Sequence, residues 1–115
     1  MVSKNLLQNY PNPFNPETWI PYQLATDSPV MISIYNSKGQ LIRVLNLGNQ
    51  NAGIYMTKNK AAYWDGKDRE GEKVASGVYF YTLQVERQRN LASILGTSLD
   101  GAGEFRCTRK MVIMK

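Results

Sequence analysis

The chain has 115 residues, of which 43% are hydrophobic and 20% charged, with a net charge of +5; this fits one globular domain with a modest core rather than a disordered chain. It has no histidine, which removes the commonest general base near neutral pH and with it the usual nucleophilic triads. A single cysteine, Cys107, cannot close an intramolecular disulfide, and no stretch approaches the ~18 apolar residues that a membrane span requires.

Residues 1–5 read as disordered or as the start of a linker, and Met1–Leu7 lacks the long apolar run of a signal peptide. Tyr10-Pro11-Asn12-Pro13-Phe14-Asn15-Pro16 follows. Its three prolines fix φ and push their predecessors into extended geometry, which forbids a helix. The expected form is a kinked, extended segment with Tyr10 and Phe14 turned inward. In Thr18–Leu24 the residues Ile20, Tyr22 and Leu24 alternate with others, as in a strand, and Pro21 places it at an edge or a bulge.

A turn through Ala25–Pro29 leads to the clearest strand, Val30–Tyr35, with Val30, Ile32 and Ile34 on one face. Asn36–Gln40 reads as a hairpin connection that uses Gly39, and Leu41–Leu47 as the returning strand. Residues 48–61 are polar and glycine-containing, a long loop with a short strand near Ile54–Met56. Ala62–Trp64 resumes extended structure before a turn-rich stretch that starts at Asp65-Gly66.

Val78–Val85 has Tyr79, Tyr81, Leu83 and Val85 on one face and Val78, Phe80 and Thr82 on the other. Both faces are substantially apolar, which predicts a central strand. The final strand is Phe105–Met114, and residues 86–104 between them form an inserted loop or an extended hairpin. Six or seven short strands with little helix predict an all-β, immunoglobulin- or fibronectin III-like antiparallel sandwich of about seven strands over 1–115.

Few residues are candidates for chemistry. Cys107 lies in an alternating strand and reads as a buried structural thiol. Asp65, Asp68, Glu70 and Glu72 could offer calcium oxygen ligands. Their spacing departs from the D-x-D-x-D-G loop, however, and Lys67, Arg69 and Lys73 among them would repel a cation, so a tight turn is the favoured reading. Trp64 reads as a core residue packed across the sandwich and Trp19 as an exposed contact residue. The cations are dispersed, with no recognition helix, so no nucleic-acid partner is expected. No catalytic residue and no cofactor is expected.

Four segments recur in a characteristic order: Leu7–Thr18 with its Tyr-Pro-Asn-Pro-Phe run, Trp64–Gly71, Val74–Tyr81 and Thr108–Val112. Together they resemble the carboxy-terminal secretion or sorting domain of type IX-exported bacterial proteins, and are similar to the immunoglobulin-like domain of the flagellar hook-capping protein. The matching positions are Tyr10, Pro11, Asn12, Pro13, Phe14, Trp64, Asp65, Gly66, Gly77 and Tyr79. The resemblance implies a non-catalytic sandwich behind an upstream passenger domain, secreted or displayed on a Gram-negative cell surface. It implies that the export machinery reads the last strand, here Arg109, Lys110, Met111, Val112, Ile113, Met114 and Lys115. Pairing along that strand's edge would supply backbone hydrogen bonds, with alternate side chains giving selectivity. The alternative is a protein- or carbohydrate-binding assembly module of a surface or hook-capping-like protein.

Overall fold

In the computed structural model, residues 6–14, 16–86 and 104–114 are described. The expectations for residues 1–5, for 87–103 within the insertion and for Lys115 lie outside them. Among the described residues eight strands follow one another: β1 (Thr18–Ile20), β2 (Tyr22–Leu24), β3 (Ser28–Asn36), β4 (Leu41–Gln50), β5 (Gly53–Tyr55), β6 (Ala62–Trp64), β7 (Gly77–Glu86) and β8 (Glu104–Ile113).

Alternation builds the larger sheet, which is antiparallel throughout in the order β4-β3-β7-β8. Val30, Ile32 and Ile34 of β3 bury one face, joined by Tyr79, Tyr81, Leu83 and Val85 of β7 and by Met111 and Ile113 of β8. β7 is central, as its composition suggested, but only because it pairs on both edges. Among the described residues its second face is only partly covered: Phe80 and Thr82 are half-buried and Val78 is 39% exposed.

The opposing layer is interrupted. β1 pairs with β6 and β2 with β5, so the partner strand changes at Pro21, whose ring nitrogen cannot donate to a ladder. Ile20, Tyr22, Leu24, Ala62 and Trp64 from this layer join the inward residues of the larger sheet in one core. The polar stretch from residue 48 is partly strand rather than loop. β4 runs on to Gln50 by absorbing a bulge at Gly48, where the partners of Val30 and Met31 skip from Gly48 to Asn46.

Residues 6–14 form a strap that spans both layers. Leu6 bridges to Tyr22, Tyr10 to Trp19 and Phe14 to Ile113, and the Tyr10-Pro11 and Asn12-Pro13 peptide bonds are cis. Leu6 and Phe14 are buried. Asn9 is buried as well and fully engaged: its backbone N–H donates to the Tyr81 hydroxyl (2.9 Å) and its side-chain amide to Thr18 Oγ1 (2.9 Å). Tyr10 departs from expectation, since it is half-buried and faces away from the core, where it stacks beside Trp19. Its backbone is committed to a two-bond exchange with Trp19, and that pairing fixes the direction of its ring.

Burial pushes both Tyr22 and Tyr81 up to about 12, Tyr81 in spite of its hydrogen bond from Asn9 and the charge of Arg109. A phenol whose folded pKa lies above its unfolded value of about 10 stabilises the fold fully below pH 10 and loses that contribution as pH climbs through 12. Each group should therefore contribute a loss of about 1.4 kcal/mol per pH unit across that window. Urea midpoints between pH 9 and 12 check this. Tyr81→Phe should flatten the slope while lowering stability at pH 7, because the Asn9 amide and the Leu7 carbonyl (2.7 Å from the hydroxyl) lose their partner.

Candidate recognition surface at the terminal strand

The seven positions carried over for the last strand do not act alike. Met111 and Ile113 lie in the core at 0% and 2% exposure. Arg109 is half-buried and reaches back to the strap, where Nη1 donates to the Leu6 carbonyl (3.4 Å). Lys110 and Met114 are exposed and Val112 is half-buried, so alternate residues at the end of β8 and just past it form a solvent-facing row. On the neighbouring strand, Val78 sits opposite Val112 and Phe80 opposite Lys110. The result is a small apolar patch with the Lys110 ammonium beside it.

The backbone edge of this stretch is already occupied. Phe14 N donates to the Val112 carbonyl (3.0 Å) and Met114 N to the Phe14 carbonyl (3.1 Å). Val112 N donates to Asn12 Oδ1 (3.0 Å), and Gln8 Nε2 to the Lys110 carbonyl (3.0 Å). Edge pairing at Lys110–Met114 is thus closed by the strap, and what stays open is the side-chain face. The sequence carried no sign of this, because the Asn12–Val112 bond joins residues 100 apart.

The Trp64–Gly71 turn is a structural hub. Trp64 is fully buried, with Phe14 at 5.6 Å and Tyr79 at 6.1 Å between ring centroids, both edge-to-face. The Lys67 carbonyl accepts from Trp64 Nε1 and from Arg43 Nη1, each at 2.9 Å. Asp65 Oδ1 takes Arg43 Nη1 (2.9 Å) and Lys67 N (3.0 Å). Partial burial works to raise the Asp65 carboxyl, but the Lys67 amide and the Arg43 guanidinium outweigh it and hold the group below the usual range. Gly66 follows at φ +77°. Tyr79 donates its hydroxyl to the Ala75 carbonyl (2.8 Å), and Gly77 opens β7 opposite Ile113.

The four candidate calcium ligands are not brought together. Asp65 is paired with Arg43, while Asp68 Oδ1 accepts the backbone N–H groups of Glu70 (2.9 Å) and Glu72 (3.0 Å). Among the described residues no group of three or more acidic, histidine or cysteine side chains could hold a metal ion. Cys107 is buried, and burial pushes its thiol up, which leaves it a core residue.

A second surface lies on the outer face of the interrupted layer. Tyr10, Trp19 and Tyr63 form a cross-strand row, with centroids 6.4 and 5.4 Å apart. Lys58 Nζ sits 4.3 Å over the Trp19 ring, and the Tyr63 hydroxyl donates to Glu17 Oε1 (2.7 Å). Trp19 is half-buried rather than exposed; the exposed ring of the row is Tyr63, at 45%.

Two antiparallel layers on one core, closed by an N-terminal strap, define an immunoglobulin-like β-sandwich. The chain belongs to the family of the FlgD Ig-like domain, which it matches over residues 17–90, and it is a non-catalytic domain of that type. A comparison with curated proteins finds no significant match.

Among solved structures it is similar to dimeric latent PorU from Porphyromonas gingivalis (TM-score 0.64, 19% identity) and to PorZ from the same organism (0.52, 15%), described as a bacterial surface component of the type IX secretion system. It is also similar to FlgD from P. aeruginosa (0.50, 27%). The matches cover 94%, 94% and 78% of this chain but only 9%, 11% and 57% of those proteins, in the order named. The first two likenesses establish the fold. No helix among the described residues is long and apolar enough to cross a membrane.

Proposed function

We propose that this chain is the C-terminal sorting or anchoring domain of an exported bacterial protein, which presents the end of its last strand to the export machinery of a Gram-negative cell. A passenger domain would precede residue 1, and the product would be secreted or held at the surface. The observation that carries this reading is the row Lys110, Val112 and Met114, which faces solvent from a stretch anchored in the core by Met111 and Ile113. Because the strap bonds the backbone edge there, the reading favours recognition through side chains rather than strand addition. A receptor with an apolar pocket and a carboxylate beside it would fit Val112, Met114 and Lys110.

The test is a reporter fused ahead of residues 1–115 in a type IX-competent host. Export is expected, and it should fall to background in the Lys110→Glu/Met114→Glu double variant. Both substitutions are at exposed positions and should change stability by less than about 0.5 kcal/mol each. A reporter that stays inside the cell, or a double variant exported normally, would remove this reading.

A second reading, a protein- or carbohydrate-binding assembly module, draws on the Tyr10–Trp19–Tyr63 row, since aromatic faces and flanking polar groups suit such ligands. Here Tyr63→Ala should abolish partner capture and leave export of the reporter intact.

A further inference from the structure

We propose that Asn12 is a positioning residue for the terminal-strand surface, its side-chain amide standing in for a missing neighbour strand; this rests on the sorting reading above. An edge strand leaves alternate N–H and C=O groups pointing outward. On β8 and just past it these include the Lys110 carbonyl, both backbone groups of Val112 and the Met114 amide, and all four take partners from the strap. A regular strand would meet them with peptide groups. The strap does so only through Phe14, which meets the Val112 carbonyl and the Met114 amide, while side chains meet the Val112 N–H and the Lys110 carbonyl.

Asn12 sits between Pro11 and Pro13 and supplies Oδ1 to Val112 N at 3.0 Å. Gln8 supplies Nε2 to the Lys110 carbonyl at 3.0 Å. Phe14, past the second proline, resumes backbone pairing on either side of Ile113. Asn12 is exposed, so its contribution is not burial. It holds the pleat of β8 near the strand's end, where strand ends ordinarily open first. The pleat decides which side chains face out, so the orientation of Lys110, Val112 and Met114 depends on that bond. On this account the Tyr-Pro-Asn-Pro-Phe run and the last strand, far apart in sequence, are two halves of one surface.

The experiment compares the wild-type chain with Asn12→Ala and Asn12→Asp, by amide exchange on the purified 115-residue protein and by export of the reporter fusion. Asn12→Ala should speed exchange at Val112 by about five- to tenfold, with Ile32 and Leu83 unchanged, and should reduce export. Asn12→Asp keeps an acceptor oxygen and should restore both. Unchanged exchange at Val112, acceleration shared equally by Ile32 and Leu83, or undiminished export of Asn12→Ala would each overturn the proposal. Export retained by Asn12→Ala but lost in Lys110→Glu/Met114→Glu overturns the positioning role alone. A wild-type fusion that is not exported overturns the sorting reading and this inference with it.

Discussion

Replacing Trp64 with alanine should destabilise the domain by about 3–5 kcal/mol, the range for emptying a large aromatic site in a core. The indole is fully buried between Phe14 from the strap and Tyr79 from β7, so the cavity would open where the strap meets both layers. The substitution also removes the Nε1 donor from the Lys67 carbonyl, although Arg43 still reaches that oxygen. Domains of this kind have only about 5–15 kcal/mol in total. At about 4–8 °C per kcal/mol for a chain near this size, the melting temperature should fall by at least about 12 °C. Trp64→Phe keeps the aromatic packing and loses the hydrogen bond, and should cost clearly less. Trp19→Ala, at a half-buried position on the outer face, supplies the contrast. Thermal and urea unfolding of the three variants checks the order, and a Trp64→Ala loss below about 1 kcal/mol would contradict this account of the core.

How far the sequence announced this arrangement depended on whether the signal was local. Val30–Tyr35 and Val78–Val85 read locally as strands, and the inward sets assigned to them, including Ile32, Ile34, Tyr81 and Leu83, are buried. Pro21 marked an interruption, though not that the partner strand would change there. What stayed hidden was non-local. No period reports that Asn12 caps Val112 or that Gln8 reaches Lys110, since each is a single side chain bonded to a distant backbone group. Tyr10 was misplaced for a similar reason, because its pairing with Trp19 overrides the hydrophobic preference of its ring. The last strand was legible as a strand, but which of its residues face outward required the register with β7.

Gly66→Ala should cost more than about 3 kcal/mol, well above an ordinary surface substitution, and the reason can be separated into two parts. The residue lies at φ +77°, where an L side chain costs about 1–2 kcal/mol. In addition, a Cβ placed there would sit 2.2 Å from the Pro16 carbonyl oxygen, so backbone must give way on one side or the other. Gly71 isolates the first part: its φ is +85°, yet nothing lies within 4 Å of the corresponding Cβ. Gly71→Ala should therefore cost about 1–2 kcal/mol, and the excess at Gly66 measures the close approach. That approach joins the Trp64–Gly71 turn to the chain just beyond the strap, two residues past Phe14. If Pro16 retreats, the bonds from Phe14 to Val112 and Met114 should weaken too, and amide exchange at Met114 should rise in Gly66→Ala but not in Gly71→Ala. Equal losses of stability in the two variants would mean that the contact between the turn and Pro16 does not constrain the fold.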